Sequence, residues 1–264
     1  MGLFRLSRDA RFYDLANWPD RLPRARLSRM NQILTALRRC SLALCLTTLA
    51  SPVLAQPTGD WASLARYHDA NAAFPAPKPD ETRVVLYGDS ITEVWARYFD
   101  AMFPGKPYIG RGISGQTTPQ LLIRFRQDVV ALKPRVVVIL AGTNDIAGNT
   151  GLSTLEMIED NFASMCEIAR SNGIRVVLAS VLPVSDYPWK RGLEPAPKII
   201  ALNDWIRRYA EANGHVYLDF HTAMADERGG LSPELARDGV HPTESGYRLM
   251  APLLDQAIAR ALRR

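Results

Sequence analysis

Residues 135–145 read RVVVILAGTND. Five aliphatic residues in a row, Val136 to Leu140, run directly into Gly142-Thr143-Asn144-Asp145. A run that is apolar at every position, and not at alternate ones, predicts a strand covered on both faces, as in a parallel sheet. Gly and Asn directly after it predict a tight turn that leaves polar groups at the strand's carboxyl end.

The same pattern recurs on both sides. Upstream, Arg83 to Tyr87 is a second apolar run, followed by Gly88-Asp89-Ser90-Ile91-Thr92, and Tyr108-Ile109 is a briefer one, followed by Arg111-Gly112-Ile113-Ser114-Gly115-Gln116-Thr117. Downstream come Arg175 to Ala179 and His215 to Leu218. Helical periodicity fills the intervals: Thr118 to Leu132, Leu155 to Asn172 with Gly173 as its stop, Lys198 to Asn213 with Gly214, and Thr243 to Arg263 with Pro242 in the first turn. Alternating strands and helices predict an α/β fold, a three-layer α/β/α sandwich around a five-stranded parallel sheet. Such sheets bind ligands at the carboxyl ends of their strands, where the polar motifs fall.

At 264 residues, 47% hydrophobic and 22% charged, the chain has the composition of a folded globular protein with a sizeable core. The net charge of +5 is misleading about partners. Residues 1–55 hold nine arginines against three aspartates, and the remainder holds 23 basic against 24 acidic residues. A nucleic-acid partner would need a basic face on the folded body, and so balanced a count gives no support for one. Of the three cysteines, Cys40 and Cys45 precede residue 56, so Cys166 would stand alone in a processed chain without an intrachain disulfide.

Residues 30–55 read MNQILTALRRCSLALCLTTLASPVLA. Arg38 and Arg39, the apolar stretch Cys40 to Ala50, and the compact Val53-Leu54-Ala55 predict a secretory signal peptide cleaved after Ala55. The expected location is periplasmic or extracellular, without stable membrane insertion once the signal is removed. Residues 1–29 precede the internal Met30 and are expected to be an upstream extension that is not native. Residues 56–80, with Pro57, Pro75, Pro77 and Pro79, read as a linker around a short helix from Trp61 to Ala72. Residues 81–264 form the domain proper.

Each polar motif has a bland reading beside a chemical one. Ser90, at a strand-to-helix turn, could be a nucleophile whose own N–H faces a developing oxyanion, or a turn or cap residue. Asn144 could offer its amide to an oxyanion or close an Asx turn. Near the C-terminus, Asp238-Gly239-Val240-His241-Pro242 sets an Asp three residues before a His. In a tight loop that Asp can accept from Nδ1–H and turn Nε2 toward a serine as general base. His221, two residues after Asp219, is the reserve candidate.

Together and in this order, the blocks GDSIT (88–92), GISGQT (112–117), GTND (142–145) and DGVHP (238–242) resemble the GDSL/SGNH hydrolase superfamily, over roughly residues 82–260. The resemblance implies a flavodoxin-like sandwich and a lipase/acylhydrolase-type serine esterase. It implies Ser90 as nucleophile, with Asp238 and His241 completing a triad. The oxyanion hole would be the Ser90 N–H, the Gly115 N–H and the Asn144 side chain, with Gly115 preferred to Gly112 because the family's glycine precedes a polar residue and Thr. No metal and no cofactor is required.

The expected substrate is a small-molecule or glycan ester, with short acyl groups, acetyl first; lysophospholipase or thioesterase action on lipid-derived esters is the alternative. Tyr187 and Trp189, after the fourth strand, are candidate substrate contacts, and Trp95 lies close beyond Ser90. Two readings from other classes stand beside these. One is a metal-dependent phosphoesterase using Asp89, Asn144, Asp145, Asp238 and His241. The other is a non-catalytic glycan-binding module.

Overall fold

The computed structural model describes residues 59–236 and 238–264. The expected signal peptide at 30–55 and the expected extension at 1–29 lie outside the described residues. Five parallel strands, β1 (Val84–Gly88), β2 (Tyr108–Gly112), β3 (Val136–Leu140), β4 (Arg175–Ala179) and β5 (Val216–Leu218), form one sheet in the order β2-β1-β3-β4-β5. Register aligns Val84 with Tyr108 on one side and with Val136 on the other.

Every residue of β1 and β3 is buried, which is why these runs show no alternation in sequence. Successive side chains serve opposite faces. Val85, Tyr87, Val137 and Ile139 join the core under helices α2 (Thr118–Asp128), α3 (Leu155–Ser171) and α4 (Ala196–Ala212). Val84, Leu86, Val136 and Val138 join the core under α1 (Ser90–Trp95) and α5 (Glu244–Arg263). Three layers result, as the sequence predicts. Among the described residues, no helix is long and apolar enough to cross a membrane.

Four details differ from expectation. Strand β2 runs on through Arg111 because that guanidinium is buried, donates to Asn71 Oδ1 at 2.8 Å and lies over the Tyr67 ring at 4.7 Å. Pro242 precedes α5 and does not enter it; Thr243 is the N-cap and accepts from the Gly246 N–H. Trp95 belongs to the core and not to the crevice, being stacked on Tyr247 at 5.5 Å and flanked by Phe99, Phe103 and Phe220.

The fourth concerns the segment expected to be a linker. Its described part, residues 59–80, holds a 3-10 turn (Leu64–Tyr67) and a short helix (His68–Ala72), and it straps onto the sheet domain. Gln116 Nε2 donates to Ala62 O, Gln120 Nε2 to Trp61 O, and Asn71 Nδ2 to Asp128 Oδ1. Glutamine side chains on α2 and its approach thus satisfy the strap's backbone, and the strap's own Asn71 donates back to α2, a partnership invisible in local sequence.

Candidate active site

The sheet order places β1 between β2 and β3, so the connection after β1 runs to one side and the connection after β3 to the other, which opens a crevice at their carboxyl ends. Residues that follow these three strands meet there. Asp89 caps α1, its carboxylate accepting from the Ile91 N–H at 3.0 Å, so Ser90 is the first helical residue with its N–H outside the helix's own ladder. The other Asp89 oxygen is buried without a partner. Burial pushes this carboxyl up to about 7, against the Ile91 N–H, which pulls it down.

Ser90 Oγ lies 2.8 Å from His241 Nε2, and His241 Nδ1 lies 2.6 Å from Asp238 Oδ2. A carboxylate only accepts, so Nδ1 carries the proton and Nε2 presents a lone pair to the serine hydroxyl. The loop builds this from its own backbone. Asp238 Oδ1 accepts from the Val240 and His241 N–H groups at 3.0 and 2.7 Å, which folds the aspartate back over the histidine three residues on. Burial alone would raise the Asp238 carboxyl, but the bonds from His241 and Val240 outweigh it and hold it below its ordinary value.

The two glycines of the second block have different environments. A Cβ on Gly112 would collide with the backbone of Glu93 and Asp89, so this glycine lets β2 close on α1. Gly115 is exposed, has φ +77°, and a Cβ there would meet nothing. It sits third in the turn closed by the Gln116 N–H on Ile113 O at 3.3 Å. A side chain at Gly115 would enter open space and one at Gly112 would not.

Asn144 is buried, with Nδ2 donating to Gln116 O at 3.0 Å and Oδ1 accepting from Asn149 Nδ2 at 2.8 Å. Those two bonds fix the amide's orientation and leave one of its two N–H groups unspent. Asp145, beside it, is spent on the first turn of α2, where it accepts from the Thr118 N–H at 3.0 Å and from Thr118 Oγ1 at 2.6 Å.

The aromatic pair divides. Tyr187 is fully buried, and its hydroxyl donates to Thr143 O at 2.9 Å and meets Thr143 Oγ1 at 3.0 Å. It is a support beneath the crevice floor and not a substrate contact, because its polar end is turned inward to serve the turn after β3. Trp189 packs against it at a tilt, with ring centroids 5.1 Å apart, is 45% exposed and lies 6.2 Å from the His241 ring, so it does face the crevice. His221 is half-buried on the short helix after β5, where its N–H donates to Ser180 Oγ. Cys166 is buried in the core, and burial pushes its thiol up to about 12, which leaves it unreactive. Among the described residues no three His, Cys, Asp or Glu side chains are grouped as a metal would need.

Three contributors had no motif to announce them. Asn149 orients Asn144 and accepts from Trp189 Nε1 at 3.2 Å. Arg124 is wholly buried beneath the crevice, and Glu93 binds Ser114. The available hint was Arg124 on the same face of α2 as the apolar Leu121 and Phe125; Glu93 carried none.

Residues 86–249, well over half of the chain, match the model of the GDSL-like Lipase/Acylhydrolase family. A GDSL-like lipase from Bacteroides thetaiotaomicron is 46% identical with a TM-score of 0.73, over 76% of this chain and 98% of that one. A candidate acylhydrolase from Bacteroides fragilis is 44% identical with a TM-score of 0.75, over 77% and 99%. An acetylxylan esterase from Xylanibacter ruminicola is 26% identical over 78% of this chain and 47% of its own length. This chain therefore spans under half the length of that curated relative.

Proposed function

The chain belongs to the GDSL-like lipase/acylhydrolase family, and from that premise we propose that it is an exported serine esterase that removes short acyl groups, acetyl foremost, from hydroxylated substrates such as glycans. The observation that carries the proposal is the 2.8 Å approach of Ser90 Oγ to His241 Nε2 with Asp238 on the far nitrogen. In the proposed reaction His241 takes the Ser90 proton as Oγ attacks the ester carbonyl carbon. The tetrahedral oxyanion is held by the N–H groups of Ser90 and Gly115 and by the unspent N–H of Asn144. The carbon–oxygen bond to the alcohol breaks as His241 returns the proton to it. Water, deprotonated by the same imidazole, then attacks the acyl-enzyme and frees the acid and Ser90. Asp238 stays ionised throughout and keeps the imidazole in the useful tautomer.

The acyl preference draws support from the hollow beside His241. About 510 Å³ in size, it is lined by Tyr98, Asp238, His241, Pro242, Thr243 and Glu244. Hydroxyl, carboxylate and imidazole groups outnumber aliphatic ones there, which suits a polyhydroxylated alcohol better than a fatty chain. The acetylxylan esterase relative points the same way. Export rests on the pattern of residues 30–55.

The test is turnover of p-nitrophenyl acetate, butyrate and octanoate by residues 56–264, with the Ser90→Ala variant as control. The expected result is Ser90-dependent turnover with kcat/KM highest for acetate and roughly tenfold or more lower for octanoate. A preference for octanoate would instead favour the lysophospholipase or thioesterase reading. In the same assay Asn144→Ala is expected to fold, as judged by circular dichroism, and to lose roughly 100- to 1000-fold in kcat. Near-normal turnover in that variant would remove Asn144 from the oxyanion hole.

A further inference from the structure

We propose that Glu93 is a positioning residue for the Gly115 N–H: through Ser114 it fixes the exposed turn that presents this donor beside Ser90. The inference rests on the reading of Gly115 as an oxyanion donor.

Glu93 lies three residues after Ser90 on the same short helix, α1. Its Oε2 accepts twice from Ser114, at 2.7 Å from the backbone N–H and at 2.5 Å from the hydroxyl. Its Oε1 accepts from Arg66 Nη2 of the strap at 3.0 Å. One carboxylate therefore joins three separate parts of the chain. Burial alone would push it up, but the bonds from Ser114 and Arg66 outweigh burial and hold it below its ordinary range, so it remains a charged acceptor.

The turn needs such an anchor. Ser114 and Gly115 are exposed, and a side chain at Gly115 would touch nothing, so no packing holds this peptide. Across the turn runs one long backbone bond, from the Gln116 N–H to Ile113 O at 3.3 Å. With φ +77° at its third residue, the turn fits type II, in which Gly115 follows Ser114 at the centre. Types I and II differ chiefly in the orientation of the central peptide, here the Ser114–Gly115 peptide that carries the Gly115 N–H. Turning that peptide over would replace a donor with a carbonyl oxygen at the oxyanion site. Pinning Ser114 by both its N–H and its hydroxyl selects one orientation before substrate arrives. Because the pin sits one helical turn from Ser90, it also ties the Gly115 donor to the helix that bears the nucleophile.

The test compares Glu93→Ala and Glu93→Gln with the wild type in two measurements. The first is kcat and KM on p-nitrophenyl acetate. The second is amide exchange at Ser114, with the β1 and β3 amides as internal references. Glu93→Ala is expected to lower kcat by roughly 10- to 100-fold with KM within about twofold, since a preorganised transition-state contact is lost and ground-state binding is not. Exchange at Ser114 should accelerate while β1 and β3 stay protected. Glu93→Gln keeps an oxygen that can accept from Ser114 and should recover most of the kcat. Wild-type kcat in Glu93→Ala would overturn the proposal, and so would a loss shared with general loosening of β1 and β3. Should the wild type show no Ser90-dependent turnover, the esterase reading fails, and Ser114 exchange still decides whether Glu93 holds the turn.

Discussion

Replacing Ser90 by alanine is expected to lower ester turnover by roughly a millionfold, and replacing His241 by alanine is expected to cost nearly as much. The two side chains share one hydrogen bond of 2.8 Å, and in the proposed reaction the proton that leaves one arrives on the other. Removing either therefore removes the whole nucleophile, and the double variant should be no worse than either single one. Additive losses would mean that the two act in separate steps. Asp238→Asn should retain more, because an amide at that position can still bond Nδ1 but favours the wrong tautomer, at a cost of roughly ten-thousandfold. None of these changes should disturb the fold strongly, since Asp238 and His241 side chains are 39% and 33% exposed. Steady-state kinetics of the four variants, with melting temperatures alongside, would check the set.

The largest effect on stability is expected at Arg124, which touches no substrate. Its guanidinium is wholly buried and donates to Asp128 Oδ2 and Arg111 O, each at 2.9 Å, to Gln116 Oε1 at 2.5 Å and to Gly88 O at 2.9 Å. It also lies over the Tyr87 ring at 4.3 Å. One side chain thus satisfies carbonyls at the ends of β1 and β2 and an amide beside the Gly115 turn. Truncation to methionine fills much of the volume but leaves the Asp128 carboxylate without its cation and takes one donor each from Gln116 Oε1, Arg111 O and Gly88 O. Breaking a buried pair in this way costs about 3–5 kcal/mol. For a protein of this size that corresponds to a melting temperature lower by roughly 6–20 °C. Adding Asp128→Leu should restore part of the loss, because the orphaned charge is then gone. A thermal melt of Arg124→Met within about 2 °C of wild type would show that water reaches the site and solvates Asp128.

Much of this was legible in the chain. The apolar runs of β1, β3 and β4 and the glycine stops after α3 and α4 are local signals, so the three-layer sandwich and its five strands could be read before any coordinates. So could the four polar blocks, each of which falls after a strand or at the start of a helix. Where the reading went astray, the cause was a partner distant in sequence. The apolar run of β2 covers only Tyr108-Ile109, while the strand continues to Gly112, and Asn71 and Tyr67 are what bury Arg111 within it. Residues 59–80 looked like a linker because prolines are local and the glutamines that hold the segment are not. Tyr187 and Trp189, two residues apart, looked equivalent, and the turn after β3 takes one of them inward.

The sequence by itself determined the fold class, because burial on both faces of a strand is written as an unbroken apolar run. It also determined the candidate chemistry, because Ser90, Asn144 and the Asp238–His241 pair sit in short motifs whose internal spacing is their geometry. Tertiary structure alone decided that Ser90 and His241, 151 positions apart, lie 2.8 Å from each other. It alone decided that Gly112 is packed while Gly115 is open, and that Glu93 and Arg124 brace the turn and the strand ends around the crevice. Hydrogen bonds and close packing between residues far apart in the chain leave no periodicity behind, so only the folded arrangement of atoms can specify them.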